Sequence, residues 1–561
     1  MIFDDRIIGL TEGYDWVSID IFDTLLVRPY VEPKDLFVHI EKEYDSPGFC
    51  RERMDAERRN RDPENGEVTF DAIYEDIDPR YSHLRFAELE FENRSVVPKV
   101  IRDTFAELAS GKNVILVSDM YLPTDFIRDL LERNGITGFK DILISGDIGV
   151  NKHFGKLFTY ALDRFGISPS ELIHIGDNPR SDGSVPESLG IRTIHTERPI
   201  DEYAKTHPKE MRYYRRRKSP ERSIIVSMDM LYWLENRDEG FWRSISHRFG
   251  GPIVTDYCNY IHDNTHDDEL KLFVARDGWN LMRVYDVLFG IGQSEYVYAP
   301  RILNLALYED YETNRKYRKY RDVLMSEFCP YKNDDPDSWF DENEDTILKR
   351  REVMSKRYAS MLDVKTHGID KVRLVDVTTM KYSSQKLISK FLPGKDVSGI
   401  YYNILVDDPK IPHVGYHIRN RKLRFDNHTN IMEFFMSSPE PPIAGLDENL
   451  KPVYMKPHPC EQERLNIYND VTSGEIDYAE RMRSIFGKNI PRIGFDDIKG
   501  WLHVLVYGSD TETRRRLTDM KWPVDSKHME YISMIFHPRD TFYHMKKTVL
   551  DIMWYVSLSL K

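Results

Sequence analysis

Apolar runs that each end on a polar side chain constrain the fold of the first part of the chain most strongly. The run Trp16–Ile19 leads into Asp20, and Thr24 follows four residues later. Such runs are typical of buried strands in an open α/β sheet, whose carboxyl edge is where these sheets bind ligands. Asp commonly ends strands, so this run alone is a weak indication of a site.

Two later stretches also carry a polar side chain after an apolar run: a serine hydroxyl in one and a lysine ammonium in the other. Asn113–Ser118 is an apolar run whose last residue, Ser118, offers a hydroxyl that can hydrogen-bond an oxyanion. Lys152 comes just before a predicted helix, where it would neutralise a phosphate or a carboxylate. Taken singly, Ser118 is also explained as an ordinary strand end, and Lys152 as a solvated surface lysine.

A fourth stretch places two carboxylates after one strand. Leu172–Gly176 is apolar, Gly176 allows a close backbone approach, and Asp177 and Asp182 lie on the loop that follows. Together with Asp20 they form an oxygen ligand set suited to a hard divalent cation such as Mg²⁺. A purely structural loop explains this stretch alone about equally well.

The four stretches in this order resemble the motifs of the haloacid dehalogenase (HAD) superfamily, over about residues 15–195. The resemblance implies an α/β fold with a HAD-type Rossmannoid parallel sheet. It also implies that Asp20 is the nucleophile that accepts a phosphoryl group, with Ser118 and Lys152 binding that group. The implied Mg²⁺ ligands are Asp20, Asp177, Asp182 and the backbone carbonyl of Phe22.

One position departs from the pattern of HAD phosphatases. Those enzymes usually carry a second Asp two residues after the nucleophile, as general acid and base, and here that residue is Phe22. Asp23 and Asp119 are candidate substitutes. Dehalogenases of the superfamily also have a non-acidic residue there, but Lys152 with the carboxylate pair suits a metal and a phosphate better than a halide.

Helical patterning separates the first strand from the second. Residues 33–43, 51–61, 68–74 and 85–92 have helical spacing, and Thr69 is a predicted N-cap. This insert, at about residues 30–100, resembles the helical cap of one large HAD subgroup. We therefore predict a HAD-like domain over residues 1–200.

A second α/β domain is predicted beyond a basic segment. Residues 201–222, which include Arg212 and Lys218, are predicted to be a basic, solvated linker or a helix edge packed against an acidic neighbour, with contact to an anionic partner as the alternative. Alternating strands and helices over residues 223–561, with a helix-rich C-terminal part, indicate a second, largely parallel sheet. By the strand-edge rule Arg276, Asp277 and Asp376 would gather in one crevice, as a second site or as a structural ion pair.

Composition narrows the class of partner. The net charge of −14 disfavours a general nucleic-acid binder, and the four dispersed cysteines fit neither a disulfide framework nor a zinc site. No apolar run reaches the roughly 18 residues of a membrane span, and the N-terminus lacks a signal-peptide pattern. We expect a cytoplasmic protein.

Over nearly its whole length the chain resembles large HAD-type proteins associated with bacterial surface-polysaccharide biosynthesis. The resemblance implies a Mg²⁺-dependent phosphohydrolase or phosphotransferase that acts on a phosphorylated sugar, a nucleotide-sugar or a similar metabolite, with polysaccharide-synthesis proteins as partners. Two alternatives stay open. In one, the second domain is a transferase or binds glycans, and the HAD domain is slow or regulatory; in the other, the HAD domain is a non-catalytic interaction module. The oligomeric state does not follow from the sequence.

Overall fold

The chain forms two compact units, Met1–Asp238 and Glu239–Lys561. The structure, a computed structural model, describes residues 3–62, 64, 66–235, 239–300, 303, 336–379, 381–418, 427–523, 531–535 and 549. Each unit is built around its own five-stranded parallel sheet. Among these residues, no helix combines the length and the apolar character that a membrane crossing requires.

The sheet of the first unit has the strand order β3-β2-β1-β4-β5. Its strands are β1 (Trp16–Ile19), β2 (Asn113–Ser118), β3 (Asp141–Ile144), β4 (Leu172–Gly176) and β5 (Arg192–His195). Its helices are α1 (Arg6–Leu10), α2 (Lys34–Glu43), α3 (Phe49–Asn60), α4 (Phe70–Asp76), α5 (Arg85–Glu92), α6 (Lys99–Gly111), α7 (Thr124–Arg133), α8 (Ser145–Ile148), α9 (Lys156–Phe165), α10 (Val185–Ser188), α11 (Pro199–Thr206), α12 (Pro208–Arg216) and α13 (Pro220–Leu234). Short helical turns cover Pro79–Leu84, Pro169–Glu171 and Pro179–Ser184.

The central strand β1 is almost wholly buried, because helices cover a parallel sheet on both faces. The apolar runs of the sequence are therefore strands, as predicted. Helices α2 to α6 follow β1 before the chain returns to the sheet at β2, and Thr69 caps α4 by accepting a hydrogen bond from the Ala72 N–H at 3.1 Å. The predicted helical patterning of the insert and the predicted N-cap at Thr69 are thus confirmed, while the resemblance of the insert to a HAD helical cap stays a prediction.

Residues 201–222, predicted as a basic linker, instead lie in helices α11, α12 and the start of α13 within the first unit. Their aromatic side chains explain the difference. Tyr203 and Tyr214 are buried, and the Tyr214 hydroxyl donates to buried Asp35 of α2 at 2.7 Å. Ser223 of α13 also donates to Asp35, at 2.7 Å. The arginines at positions 212 and 215–217 are exposed, whereas Arg222 is buried and donates to the Tyr213 carbonyl at 2.9 Å.

The sheet of the second unit has the order β10-β9-β8-β6-β7. Its strands are β6 (Leu270–Val274), β7 (Ser294–Val297), β8 (Lys371–Thr379), β9 (Asp396–Ile404) and β10 (His413–Ile418); two small hairpins pair β11 (Ile443–Leu446) with β12 (Pro452–Tyr454) and β13 (Lys521–Pro523) with β14 (Tyr531–Ser533). Its helices are α14 (Phe241–Ile245), α15 (Gly251–Asp263), α16 (Gly278–Phe289), α17 (Pro336–Lys365), α18 (Ser383–Phe391), α19 (Asn427–Phe435), α20 (Pro459–Phe486), α21 (Phe495–Gly508) and α22 (Thr511–Asp519), with a π-helical turn at Ser246–Gly250.

The predicted fold class is confirmed in both units. Each has a parallel α/β sheet, and the part after β12 is dominated by α20, α21 and α22. The predicted helical patterning at the very end of the chain falls on residues 536–548 and 550–561, which lie outside the described residues.

Candidate active site

The four sequence stretches converge at the carboxyl edge of the first sheet. Asp20 follows β1, Asp177 follows β4, and Ser118 ends β2. The chain proceeds from β1 to β2 and β3 on one side, then places β4 on the other side of β1, so the strand order reverses between β1 and β4. Ligands of open α/β sheets bind at such a reversal.

Lys152 joins two carboxylates at this edge. Its Nζ atom donates to Asp20 Oδ1 at 2.5 Å and to Asp182 Oδ1 at 2.6 Å. The side chain of Lys152 is 3% exposed, so this is not the solvated surface lysine that its position in the sequence also allowed. Lys152 therefore provides the positive charge that fixes the two carboxylates relative to each other.

The carboxylate of Asp182 is almost fully engaged. Besides Lys152 it accepts hydrogen bonds from His174 Nε2 at 3.1 Å and from the Asn178 N–H at 3.0 Å. A carboxylate has about four acceptor positions, and three are occupied. Asp20 differs, since among the described residues its Oδ2 atom accepts a hydrogen bond only from the Thr24 hydroxyl, at 3.4 Å. Of the two carboxylates held by Lys152, Asp20 is the one with an oxygen available to a substrate.

Behind Asp182 lies a buried pair that the sequence analysis missed. Ser18 of β1 and His174 of β4 are neighbours in the sheet register, and Ser18 Oγ lies 2.8 Å from His174 Nδ1. Burial lowers the pKa of His174, so we assign the neutral ring. Its Nε2 then carries the proton donated to Asp182, and its Nδ1 accepts from Ser18. A polar residue inside each apolar run was the available signal.

Burial dominates the electrostatics of the cluster. It raises the pKa of Asp20 well above the usual range, although Lys152 opposes the shift. Burial, followed by the nearby charge of Asp23, raises the pKa of Asp177 to about 6. Burial would also raise the pKa of Asp182, but Lys152 and His174 outweigh it and the net shift is downward. The site therefore holds more negative charge than Lys152 alone compensates.

A divalent cation fits this excess of negative charge. Asp20, Asp177 and Asp182 each offer a carboxylate oxygen, and these oxygens lie within 4.8 Å of one another. Carboxylate oxygens are the ligands that a hard ion such as Mg²⁺ prefers. The donor set therefore fits the metal that the sequence predicts, while the contribution of the Phe22 carbonyl stays a prediction.

The two candidate substitutes for the missing acid are placed differently. Asp119 accepts hydrogen bonds from the backbone N–H groups of Lys152 at 2.7 Å and His153 at 3.2 Å, so it holds the lysine loop. Asp23 has a left-handed backbone (φ 60°) and lies 3.3 Å from Arg198 Nε. Asp119 is thus bound to the loop that carries Lys152, whereas Asp23 is not. A catalytic role for either residue stays a prediction.

Phe22 stands under a guanidinium group. The Arg28 guanidinium lies 4.1 Å from the centroid of the Phe22 ring, and Arg28 is itself paired with Glu92 of α5 at 2.9 Å. The position of the usual acid is therefore filled by an aromatic ring and an ion pair.

Ser118 is buried, and in the described part of the chain its hydroxyl has no hydrogen bond. The Ser118 hydroxyl is therefore available to a ligand.

Comparison with known proteins supports this interpretation of the first unit. Residues 14–190 match the family model of the haloacid dehalogenase-like hydrolases. This match supports the predicted resemblance of residues 14–190 to the HAD superfamily. A phosphoserine phosphatase of Thermus thermophilus is 38% identical over 60 residues, which are 11% of this chain and 24% of that enzyme. The chain thus spans about a quarter of the length of this curated relative.

Solved structures are also similar to part of the chain. They include a HAD family enzyme from Bacteroides thetaiotaomicron, with 19% identity, coverage of 35% of this chain and 100% of that one, and a TM-score of 0.27. A 2-haloacid dehalogenase from Pseudomonas syringae has 18% identity, coverage of 32% and 86%, and a TM-score of 0.26. The Bacteroides enzyme in complex with magnesium and inorganic phosphate has 17% identity, coverage of 33% and 95%, and a TM-score of 0.24.

We predict that His174 acts by positioning Asp182. Replacing His174 with phenylalanine removes one of the three donors to Asp182 and leaves the Ser18 hydroxyl without its partner. Residues that orient a metal or catalytic group typically contribute about 10–100-fold, so we expect a fall of about 10-fold or more in kcat against an aryl phosphate, with KM changed much less.

The control separates positioning from stability. The double variant S18A/H174F also removes the orphaned hydroxyl, so it should recover thermal stability but not kcat. If instead kcat returns with stability in the double variant, His174 has only a packing role.

Proposed function

We propose that the first unit is a Mg²⁺-dependent phosphohydrolase or phosphotransferase that acts through an aspartyl-phosphate on Asp20. The observation that carries the proposal is the single lysine, Lys152, which bonds both Asp20 and Asp182. This arrangement keeps Asp20 Oδ1 engaged and leaves Oδ2 facing a potential substrate. The match to hydrolases over residues 14–190 supports the same reaction class.

In the first step Asp20 Oδ2 attacks the phosphorus atom, forming an Asp20 O–P bond while the bond from phosphorus to the leaving oxygen breaks. In the second step water, or the hydroxyl of an acceptor, attacks the same phosphorus and releases Asp20. The incoming oxygen loses one proton, and the leaving oxygen gains one. The ammonium of Lys152 and the Ser118 hydroxyl are suited to bind the phosphoryl oxygens as charge redistributes.

The same geometry explains how a raised pKa at Asp20 is compatible with a nucleophile. Asp20 must be ionised to attack, and burial disfavours ionisation. When bound, Mg²⁺ supplies a second positive charge that favours the carboxylate and the negative phosphoryl group. The chain's own ligands for it would be Asp20, Asp177, Asp182 and the Phe22 carbonyl.

The substrate class is a finer proposal. We propose a phosphorylated sugar, a nucleotide-sugar or a similar phosphorylated metabolite, in surface-polysaccharide synthesis with proteins of that pathway as partners, and a cytoplasmic location. This rests on the resemblance of the whole chain to large HAD-type proteins, whereas the phosphate itself is supported by the side chains of the site.

The test is turnover and trapping with a generic substrate. We expect the protein to hydrolyse p-nitrophenyl phosphate with Mg²⁺ and not with EDTA, and we expect Mg²⁺ with beryllofluoride, which mimics an aspartyl-phosphate, to raise the melting temperature. A protein that shows neither stabilisation nor turnover on a panel of phosphorylated sugars and nucleotide-sugars would contradict the proposal.

A gain-of-function variant tests the missing acid. In F22D a carboxyl group takes the position where HAD phosphatases usually have their general acid and base, whose contribution is typically about 10²–10⁴-fold. We expect a smaller rise in kcat, about 10-fold, because the Arg28 guanidinium beside this position keeps the new carboxyl ionised. An ionised group serves the base step but not the acid step.

The conservative variant F22L is the matched control, since it removes the ring without adding a carboxyl. A rise of the same size in F22L would show that loss of the ring, rather than a new base, increases the rate.

A further inference from the structure

The second unit has its own strand reversal at a carboxyl edge. From β6 the chain forms β7 on one side, and β8 then pairs on the other side of β6. Ligand crevices of parallel sheets lie at such reversals. Ala275 separates the end of β6 from Arg276 and Asp277, and Asp376 lies within β8, directly after the register pair Phe273–Val375.

Arg276 is held in place by a buried pair. Its Nη1 atom donates to Glu461 Oε1 at 2.5 Å, and Glu461 also accepts from Arg464 Nη2 at 2.8 Å. The side chains of Glu461 and Arg464 are 4% and 3% exposed. Burying such charges costs free energy that their attraction only partly returns, so this pair is better explained by positioning than by stability.

The rest of the Arg276 guanidinium is available. Its side chain is 20% exposed, and within the described residues its Nε and Nη2 atoms have no hydrogen-bond partner. These two N–H groups form a planar fork that matches the two oxygens of a phosphate or a carboxylate. Glu461 therefore fixes the Arg276 guanidinium through Nη1, while Nε and Nη2 are oriented to bind an oxyanion.

Tyrosine hydroxyls form one side of the same region. Tyr296, Tyr298 and Tyr454 all donate to the carboxylate of Glu440, at 2.9, 3.1 and 2.8 Å. Arg276 Nη1 lies 3.5 Å from the backbone oxygen of Glu440. The three hydroxyls occupy acceptor positions of the Glu440 carboxylate, and the tyrosine rings offer an apolar wall beside it.

We propose that the carboxyl edge of the second sheet is a second binding site, in which Arg276 binds the phosphate or carboxylate group of a small organic anion. All the residues of this site belong to the second unit, and binding of the anion there does not depend on phosphoryl transfer at Asp20. Asp376 of β8 lies next to the end of β6, where its carboxylate is suited to accept a hydrogen bond from a hydroxyl group of that ligand.

The test uses two probes that differ only in their oxyanion, phenylphosphonate and benzoate, titrated calorimetrically into the full chain with EDTA present. We expect one site per chain for at least one probe, and the probe that binds identifies the oxyanion. In R276K the ammonium can still pair with Glu461 but the fork is lost, so affinity should fall at least 10-fold. R515K, at an exposed arginine of α22, should bind as the wild type does.

A second measurement needs no variant. Phenylglyoxal modifies accessible arginines, and mass spectrometry of the wild type should show modification of Arg276 slowed by the bound probe. Binding of neither probe, unchanged affinity in R276K, or loss of binding in K152M with retention in R276K would overturn the proposal, since the last result places the anion in the first unit.

Discussion

Replacing Asp20 with asparagine is expected to abolish phosphoryl transfer, with a fall in kcat on the order of 10³-fold or more. An amide has no anionic oxygen with which to attack phosphorus. Lys152 retains its bond to Asp182 at 2.6 Å, so the fold should survive the change. The measurement is turnover of p-nitrophenyl phosphate with Mg²⁺, together with the loss of beryllofluoride stabilisation.

The matched control is D103N, at an exposed aspartate of α6, which should leave both readouts at the wild-type level. Turnover that survives D20N but is lost in D277A would move the chemistry to the second unit. That result would favour the alternative in which the HAD-like unit is regulatory or a non-catalytic module.

Replacing Lys152 with methionine is expected to lower both activity and stability. A preorganised charge on the transferring group typically contributes about 10²–10³-fold to kcat. The change also leaves Asp20 and Asp182, which are 9% and 2% exposed, without their counter-charge. Removing one partner of a buried ion pair costs about 3–5 kcal/mol, so the unfolding free energy should fall by that order.

A stability readout identifies the cause. If lost charge compensation destabilises K152M, then Mg²⁺ should raise the melting temperature of K152M more than that of the wild type. K99M, at an exposed lysine that begins α6, is the control and should behave as the wild type. Equal stabilisation of K152M and wild type by Mg²⁺ would contradict a role for Lys152 in compensating the carboxylates.

The carboxyl-edge residues were predictable because their signal is local. Each motif residue ends or follows an apolar run, so Asp20, Ser118 and Asp177 could be placed at one edge before any contact was known. Lys152 needed the other motifs, since nothing near it in the sequence indicates burial. The hydrogen-bond partners of Asp182 depend on the register between β1 and β4, which a single sequence does not specify.

The segment of residues 201–222 shows the opposite case. Its run of arginines indicates a solvent-exposed segment, whereas its tyrosines favour burial. Helical spacing places Tyr203, Met211 and Tyr214 on inward faces, where they are buried. A charged composition can therefore hide an amphipathic helix whose apolar face is aromatic.

The contacts of Asp35 determine where the first unit can be cut. A shortened chain that stops near residue 200 would lose the Tyr214 and Ser223 hydroxyls, leaving a buried carboxylate without two of its donors. The shortened chain would also lack the Ser223 hydroxyl oxygen, which accepts a hydrogen bond from the Val31 N–H at 2.7 Å. Dissection of the molecule for expression should therefore retain α13 and end near residue 235, beyond the point where the superfamily match stops at residue 190.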